Sequence, residues 1–163
     1  MSTITIPSGA RRHRCAKDFE AAVADGLATL PRDVNWLAAL SSAVEACVLL
    51  KDTDRARELK TLLEPYAARM VVAARGAGHA GSVADFAARV AALCGDSARD
   101  QLFADAACRD EHAGATALVV RDLRRRGESL RAAGQNDPAE ELLRAAARKA
   151  HSLGFDAWSS DSE

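Results

Sequence analysis

Apolar residues recur along this chain every three to four positions, the period of a helix with one buried face. Phe19, Val23 and Leu27 fall four apart and predict a first helix from about Cys15 to Leu30. Pro31 and Asp33 then punctuate, and Asp33 is placed to cap the next helix. That helix, about Val34 to Leu50, carries Trp36, Leu37, Leu40, Val44, Cys47 and Val48 on a wide apolar face. Lys51-Asp52-Thr53 turns the chain into a third helix, about Asp54 to Leu63, with Ala56, Leu59, Leu62 and Leu63 inward. Pro65 predicts a further helical stretch through about Arg75, broken by Gly76, Gly78 and Gly81. Ser82 is placed to cap a helix to Cys94, which Gly95 ends. Helices from Ser97 to about His112 and from Thr116 to Ala133 follow, each closed by a glycine. Asp137 is expected to cap the last helix, with Pro138 at its first position, running to Leu153 before Gly154. No convincing run of alternating β-branched residues interrupts this series.

Helices joined by short turns are antiparallel neighbours. The turns after Lys51, Gly95 and Gly134 also resemble one another, and Ala56, Ala98 and Ala139 stand about 42 and about 41 residues apart. A period of that size marks stacked helical hairpins. The expected fold is all-α: a tetratricopeptide-like, right-handed stack of antiparallel helical hairpins, about seven or eight helices in all. Residues 1–12 read as a flexible N-terminal arm, 13–155 as a single helical-repeat domain and 156–163 as a polar C-terminal tail. The chain begins with Met1 and reads as complete.

Composition narrows the function classes. Aromatic residues make up 4% of the 163, so the core is built from Ala, Leu and Val. A formal net charge of −1 argues against a duplex nucleic-acid binder held by phosphate contacts. The four cysteines, Cys15, Cys47, Cys94 and Cys108, form no CxxC pair, and the last three lie in apolar helical patterns. With no secretory signal and no apolar run of membrane-spanning length, the expected location is the cytoplasm.

The stretch Leu30-Pro31-Arg32-Asp33-Val34-Asn35-Trp36-Leu37, with the Ala-rich helix after it, resembles the tetratricopeptide-like C-terminal helical region of actinobacterial ATPase regulators fused to LuxR-type or cyclase domains. Leu62-Leu63-Glu64-Pro65-Tyr66-Ala67, Gly81-Ser82-Val83 and Glu111-His112-Ala113-Gly114-Ala115 extend the likeness over roughly residues 17–154. The resemblance implies an arm for protein contacts or inducer sensing, with no catalytic residues to carry over. The chain has no GxxxxGK[ST] phosphate loop, no further helix-turn-helix and no cyclase carboxylate pair, so it reads as that arm used alone.

Several polar residues remain as candidates. Arg75 and His79 are four apart beside a glycine break, where they could bind a carboxylate or phosphate or place a titrating group in a pocket. Solvated residues beside a flexible loop are the plainer reading. Glu45 lies among Ala and Val, and if buried it needs a partner, for which Arg69 or Arg75 is available. Such a carboxylate–arginine–histidine set could do general acid–base chemistry, making His79, Arg75 and Glu45 the catalytic candidates. Asp85 and Arg89 are spaced for an i,i+4 ion pair. Arg121, Arg124, Arg125, Arg126 and Arg131 form the one basic cluster, suited to an acidic partner, though Asp122, Glu128, Glu140 and Glu141 can screen it. Arg69, Arg75, His79, Asp85, Arg89, Arg121 and Arg125 are thus the ligand-binding candidates. Cys108 and His112 could supply two metal ligands from one helix face, but no matching second pair exists, so neither metal nor cofactor is expected.

Two functions fit. One is a stand-alone binding module, a protein–protein adaptor or accessory protein holding a protein, a peptide or an acidic small molecule in an open groove. The alternative is a small helical enzyme or small-molecule-binding protein of a bacterial biosynthetic pathway, with an enclosed pocket around Arg75 and His79. Neither duplex nucleic acid nor membrane is expected as a partner. Phe155 and Trp158 could dock on the last helix or on a second copy, leaving a homodimer open.

Overall fold

The computed structural model describes residues 16–73 and 78–155. Most of these residues are helical, and the helices pack in sequence. The order is α1 (residues 16–22), a 3-10 turn at Leu27–Thr29, α2 (Trp36–Leu50), α3 (Thr53–Leu63) and a second 3-10 turn at Glu64–Tyr66. A two-stranded hairpin follows, β1 (Met70–Ala73) and β2 (Gly78–Ser82). Then come α4 (Val83–Leu93), α5 (Arg99–His112), α6 (Thr116–Ala132) and α7 (Asn136–Ser152). From α3 onward each helix packs on the next, and α2 lies against α3, α4 and β1. The expected arm, Arg75 and the whole of the expected tail, with Trp158, lie outside the described residues.

One turn design recurs. At the ends of α4, α5, α6 and α7, Gly95, Gly114, Gly134 and Gly154 adopt left-handed φ of 71°, 70°, 77° and 75°. The residue after each glycine donates its N–H back to a carbonyl near the helix end: Asp96 to Ala91, Ala115 to Asp110, Gln135 to Leu130 and Phe155 to Ala150, at 2.8–3.0 Å. This closure satisfies helix carbonyls that would otherwise lack a donor. Lys51 makes the same turn after α2 at φ 60°, with Asp52 donating to Cys47 at 3.0 Å. The likeness of the turns therefore has a backbone cause. The three alanines do not share an environment: Ala56 and Ala139 are buried, whereas Ala98 is exposed.

Three local expectations need correction. The first helix stops near residue 22, because Gly26 takes φ 90° before the 3-10 turn; Leu27 still reaches the core. Asp52 caps α3 by accepting from Arg55 N–H at 3.0 Å, but Asp33 serves only Asn35, and the side chains at the starts of α4 and α7 make no cap bond. The largest difference is the hairpin where helix was expected. β1 and β2 pair antiparallel, and the register slips between Val71 and Val72, so that Ala80 bulges out of the ladder. Val71 is fully buried against α2 and α4, and a glycine-rich segment cannot sustain helix there.

The apolar interior is divided. A large cluster joins Phe19, Val23 and Leu27 to α2, α3, Val71 and the Val83, Phe86 and Val90 face of α4. A small one joins Val120 of α6 to Ala146 and Ala150 of α7. Cys47 belongs to the large cluster, and burial pushes its thiol up to about 12, which leaves it a small hydrophobe. Cys94 is half-buried and Cys108 is exposed, against the apolar placement expected of it.

Helices α6 and α7 approach closely at Gly127. A β-carbon there would stand 2.8 Å from the Leu143 Cγ and 3.1 Å from the Ala139 carbonyl oxygen. Gly127→Val should therefore lower unfolding stability by about 1–3 kcal/mol, measured by urea denaturation. Unchanged stability would show that the two helices have room to separate.

Candidate functional site

Three aspartates have no accessible surface: Asp85 on α4, Asp110 on α5 and Asp122 on α6. Helical period brings them inward, because each lies on the apolar face of its helix. Asp110 follows Phe103 and Ala106, Asp122 lies in line with Val119 and Leu130, and Asp85 adjoins Phe86 in a helix buried nearly all round. Arg121 reaches into their midst. Its guanidinium stands 3.3 Å from Asp122, 3.5 Å from Asp85 and 3.8 Å from Asp110, and it donates to the bulged Ala80 carbonyl at 2.8 Å. Gly81 makes room for it: at φ 112° its missing side chain leaves the space that the Arg121 guanidinium fills.

The network continues toward the surface. Arg125 donates to Asp85 and lies 3.5 Å from Glu45 of α2, and Arg89 grips Glu45 with both terminal nitrogens. Four carboxylates thus meet three guanidinium groups, Arg89, Arg121 and Arg125, leaving one excess negative charge if all ionise. Buried charge without a partner is costly, so one carboxyl keeps its proton. Asp85 and Asp122 are both pushed toward holding that proton. Burial, the charge of Asp85 and a hydrogen bond with Asp110 push Asp122 to about 8, against the pull of Arg121. When protonated, Asp122 donates to Asp110, whose oxygens otherwise find no donor. Burial also pushes Asp85 upward, although Arg125, Arg121 and Arg89 oppose it.

This geometry re-sorts the sequence candidates. Glu45 is half-exposed, and among the described residues its partners are Arg89 and Arg125 rather than Arg69; Arg75 lies outside them. Asp85 and Arg89 do not pair with each other; each turns to a different helix. Arg121 and Arg125 face inward to the aspartates, so the basic cluster is not one solvated face. Arg126 pairs with Asp100 at 2.7 and 2.8 Å, and Arg124 with Glu128 at 2.9 Å. Glu140 binds Arg144 on its own helix instead of screening the cluster. His79 is exposed on β2, and Arg69 is exposed before β1. Asp110 and the buried role of Asp122 are additions that sequence reading missed. An acid in an apolar helical stripe was the available signal.

Depressions lined by described residues include three. One of about 370 Å³ lies among α2, α4, α5 and α6, with Leu93 and Phe103 in its lining and Arg89, Arg99 and Arg125 around it. A second, of about 560 Å³, is bounded by Met70, Asp105, Cys108, Arg109 and His112. The Cys108 thiol is 3.6 Å from the His112 Nδ1, which also lies 2.8 Å from the Cys108 carbonyl oxygen. Among the described residues, no three His, Cys, Asp or Glu side chains gather to hold a metal ion. The third, of about 270 Å³, lies beside Trp36 and Tyr66. No described helix is long and apolar enough to cross a membrane. No family model matches the chain, and comparison with curated proteins and with solved structures finds no match.

The buried charges set a pH dependence. Asp122 is protonated up to about pH 8 in the folded chain and only to about pH 4 when unfolded. Its contribution is fullest below about pH 4 and is lost as pH rises toward 8. Asp96 and Asp100 run the other way: hydrogen bonds from Lys60 and Arg126 hold them below the usual carboxylate range, so their contribution fails as pH falls below about 4. Asp122→Asn should flatten the decline between pH 5 and 8 and raise stability at pH 8 by on the order of a few kcal/mol. Denaturant midpoints across that range check it, and a parallel decline in the variant would count against the assignment.

Removing the central cation leaves buried aspartates unpaired. Arg121→Ala should cost about 3–5 kcal/mol and speed amide hydrogen exchange at Gly81 and Ser82 beyond the change elsewhere. Uniform loss of protection would mean that Arg121 does not anchor the hairpin.

Proposed function

We propose that the chain is a tetratricopeptide-like binding module that holds an acidic peptide segment of a protein partner in the groove among α2, α4, α5 and α6. The observation that carries this reading is the groove's lining. Arg89, Arg99 and Arg125 come from three different helices, around an apolar surface that includes Val48, Leu93 and Phe103. Arg89 and Arg125 are held in place by Glu45 and Asp85, which gives them fixed direction at little further ordering cost. Arg99 makes no ion pair among the described residues and is available to a carboxylate. A helix-lined groove of this kind suits an extended or helical peptide, with apolar side chains anchoring and arginines selecting charge. The sequential packing of helices and their shared turn support the tetratricopeptide-like reading. So does the sequence resemblance to regulator arms, as an analogy of fold.

A second reading rests on the depression at Cys108 and His112. Its size suits a small ligand, and it brings a thiol beside an imidazole. There the chain would be a small-molecule-binding protein or an enzyme.

Selection from a displayed library of random 12-residue peptides separates the two readings. The expected outcome is enrichment of Asp and Glu among interspersed apolar residues, with amide shift changes along α4, α5 and α6. Arg99→Glu should weaken the selected peptide at least tenfold by fluorescence anisotropy. Enrichment without acidic bias, or shift changes centred on Cys108 and Met70, would overturn the groove assignment.

A further inference from the structure

The third depression has an unusual wall. Trp36 and Tyr66 pack edge to face at 5.1 Å between centroids, and an arginine covers each ring: Arg32 at 5.1 Å from Trp36 and Arg69 at 6.0 Å from Tyr66. Neither arginine makes an ion pair among the described residues. The Trp36 ring is buried, yet its indole N–H has no acceptor among the described residues. Beside these rings stand Val34 and Val72, which are 76% and 45% exposed. Exposed apolar side chains grouped with unpaired cations mark a contact surface rather than a random surface. The cavity, about 270 Å³, is smaller than the roughly 300–1,000 Å³ usual for small-molecule sites, and it suits one large anchoring side chain.

The complementary features lie at the other end of the chain. Five large apolar side chains are exposed among the described residues: Val34, Leu49, Val72, Leu153 and Phe155. Two flank the groove, and two, Leu153 at 39% and Phe155 at 42%, follow α7. The sequence then continues through Asp156, Trp158, Asp161 and Glu163. It offers an aromatic anchor with three carboxylates, against a groove whose Arg32 and Arg69 make no ion pair among the described residues and whose lining has one acid, Asp33. Among the described residues α7 packs on α6, whereas the groove belongs to α2 and the hairpin, which favours a groove on a second copy.

We propose that the groove at Trp36 and Tyr66 receives residues 153–163 of a second copy of this chain, with Trp158 as anchor and its acidic neighbours against Arg32 and Arg69. The contact is head-to-tail: each copy presents one groove and one tail. Reciprocal exchange of tails closes a two-fold pair, and one-way insertion continues to a third copy or a larger ring. Because two carboxylate–guanidinium contacts lie at the surface, salt weakens it. This assembly is separate from peptide binding among α2, α4, α5 and α6, since it uses other residues.

Sedimentation velocity of the full chain over a wide concentration range tests the proposal. The expected result is an average mass that grows with concentration to two copies or more and falls with added salt. Trp158→Ala, or Arg32→Glu with Arg69→Glu, should raise the concentration needed at least tenfold. Circular dichroism melts check that these surface variants remain folded. Mixing the two variants is the sharpest arm, because one retains the groove and the other the tail. They should form a one-to-one pair and nothing longer. A mass of one copy at every concentration overturns the proposal. So does self-association that both variants retain, which places the contact elsewhere. A labelled peptide of residues 153–163 that binds the Trp158→Ala chain but not the unaltered, monomeric chain also overturns it, in favour of docking within one molecule.

Discussion

The guanidinium of Arg121 is the constraint on which the arrangement of α4, α5, α6 and the hairpin depends. It faces three aspartates with no access to water, one from each helix, and it holds the bulged carbonyl of Ala80. An apolar contact would tolerate sliding of one helix along another. A guanidinium among fixed carboxylates does not, because any displacement leaves a buried charge without its partner. The cost of desolvation is offset by Arg89, Arg121 and Arg125 placed among the carboxyl groups, with Asp122 pushed toward its protonated form. Such a node adds little net stability compared with an apolar core of similar volume. Its effect is on the register of the helices, a role buried polar groups hold in other settings.

The node also explains why the hydrophobic interior comes in two parts. The large cluster ends on α4 and the small one begins on α6, with the charged residues at the junction. Around it, ion pairs brace neighbouring helices: Arg126 with Asp100, Lys149 with Glu111, Lys60 with Asp96. Individually such surface pairs contribute little. Arg126 with Asp100 adds a second link between α5 and α6 beside the node, while the other two tie α7 to α5 and α3 to the turn after α4. Arg125 illustrates the economy of this layout, because one side chain satisfies Asp85, approaches Glu45 and lines the groove proposed for a peptide. The interior node and the proposed peptide groove therefore share a side chain of α6.

Two surfaces of different character result. The groove among α2, α4, α5 and α6 has its arginines pre-set by interior carboxylates and an apolar lining. The depression at Trp36 and Tyr66 has arginines resting on aromatic rings, with exposed valines beside them. The first suits selection of a partner by charge, and the second suits an aromatic anchor. Arg75 lies outside the described residues and His79 is exposed in the hairpin, so the site once expected around them has no described convergence. Cys108 and His112 do meet, although both are exposed and no third metal-ligating side chain joins them among the described residues.

Much of the helical order was legible in the chain itself. Periodicity located six of the helices to within a few residues, and glycines marked where four of them end, because a left-handed residue is needed to return a donor to the last carbonyls. The hairpin was not legible. Val71 and Val72 are too short a β-branched run to announce a strand, and Gly78 to Ser82 carries no strand preference at all. Only burial of Val71 and the grip of Arg121 on Ala80 favour it there. Nor could spacing choose partners for the charges. An i,i+4 rule joins Asp85 to Arg89 on paper, but buried Asp85 gains more from guanidinium groups on another helix than from a neighbour that Glu45 already occupies. Local sequence thus determined which segments are helical and where they stop, since those energies are local. The tertiary structure alone decided which charges meet, because burial makes pairing across helices stronger than anything available along one.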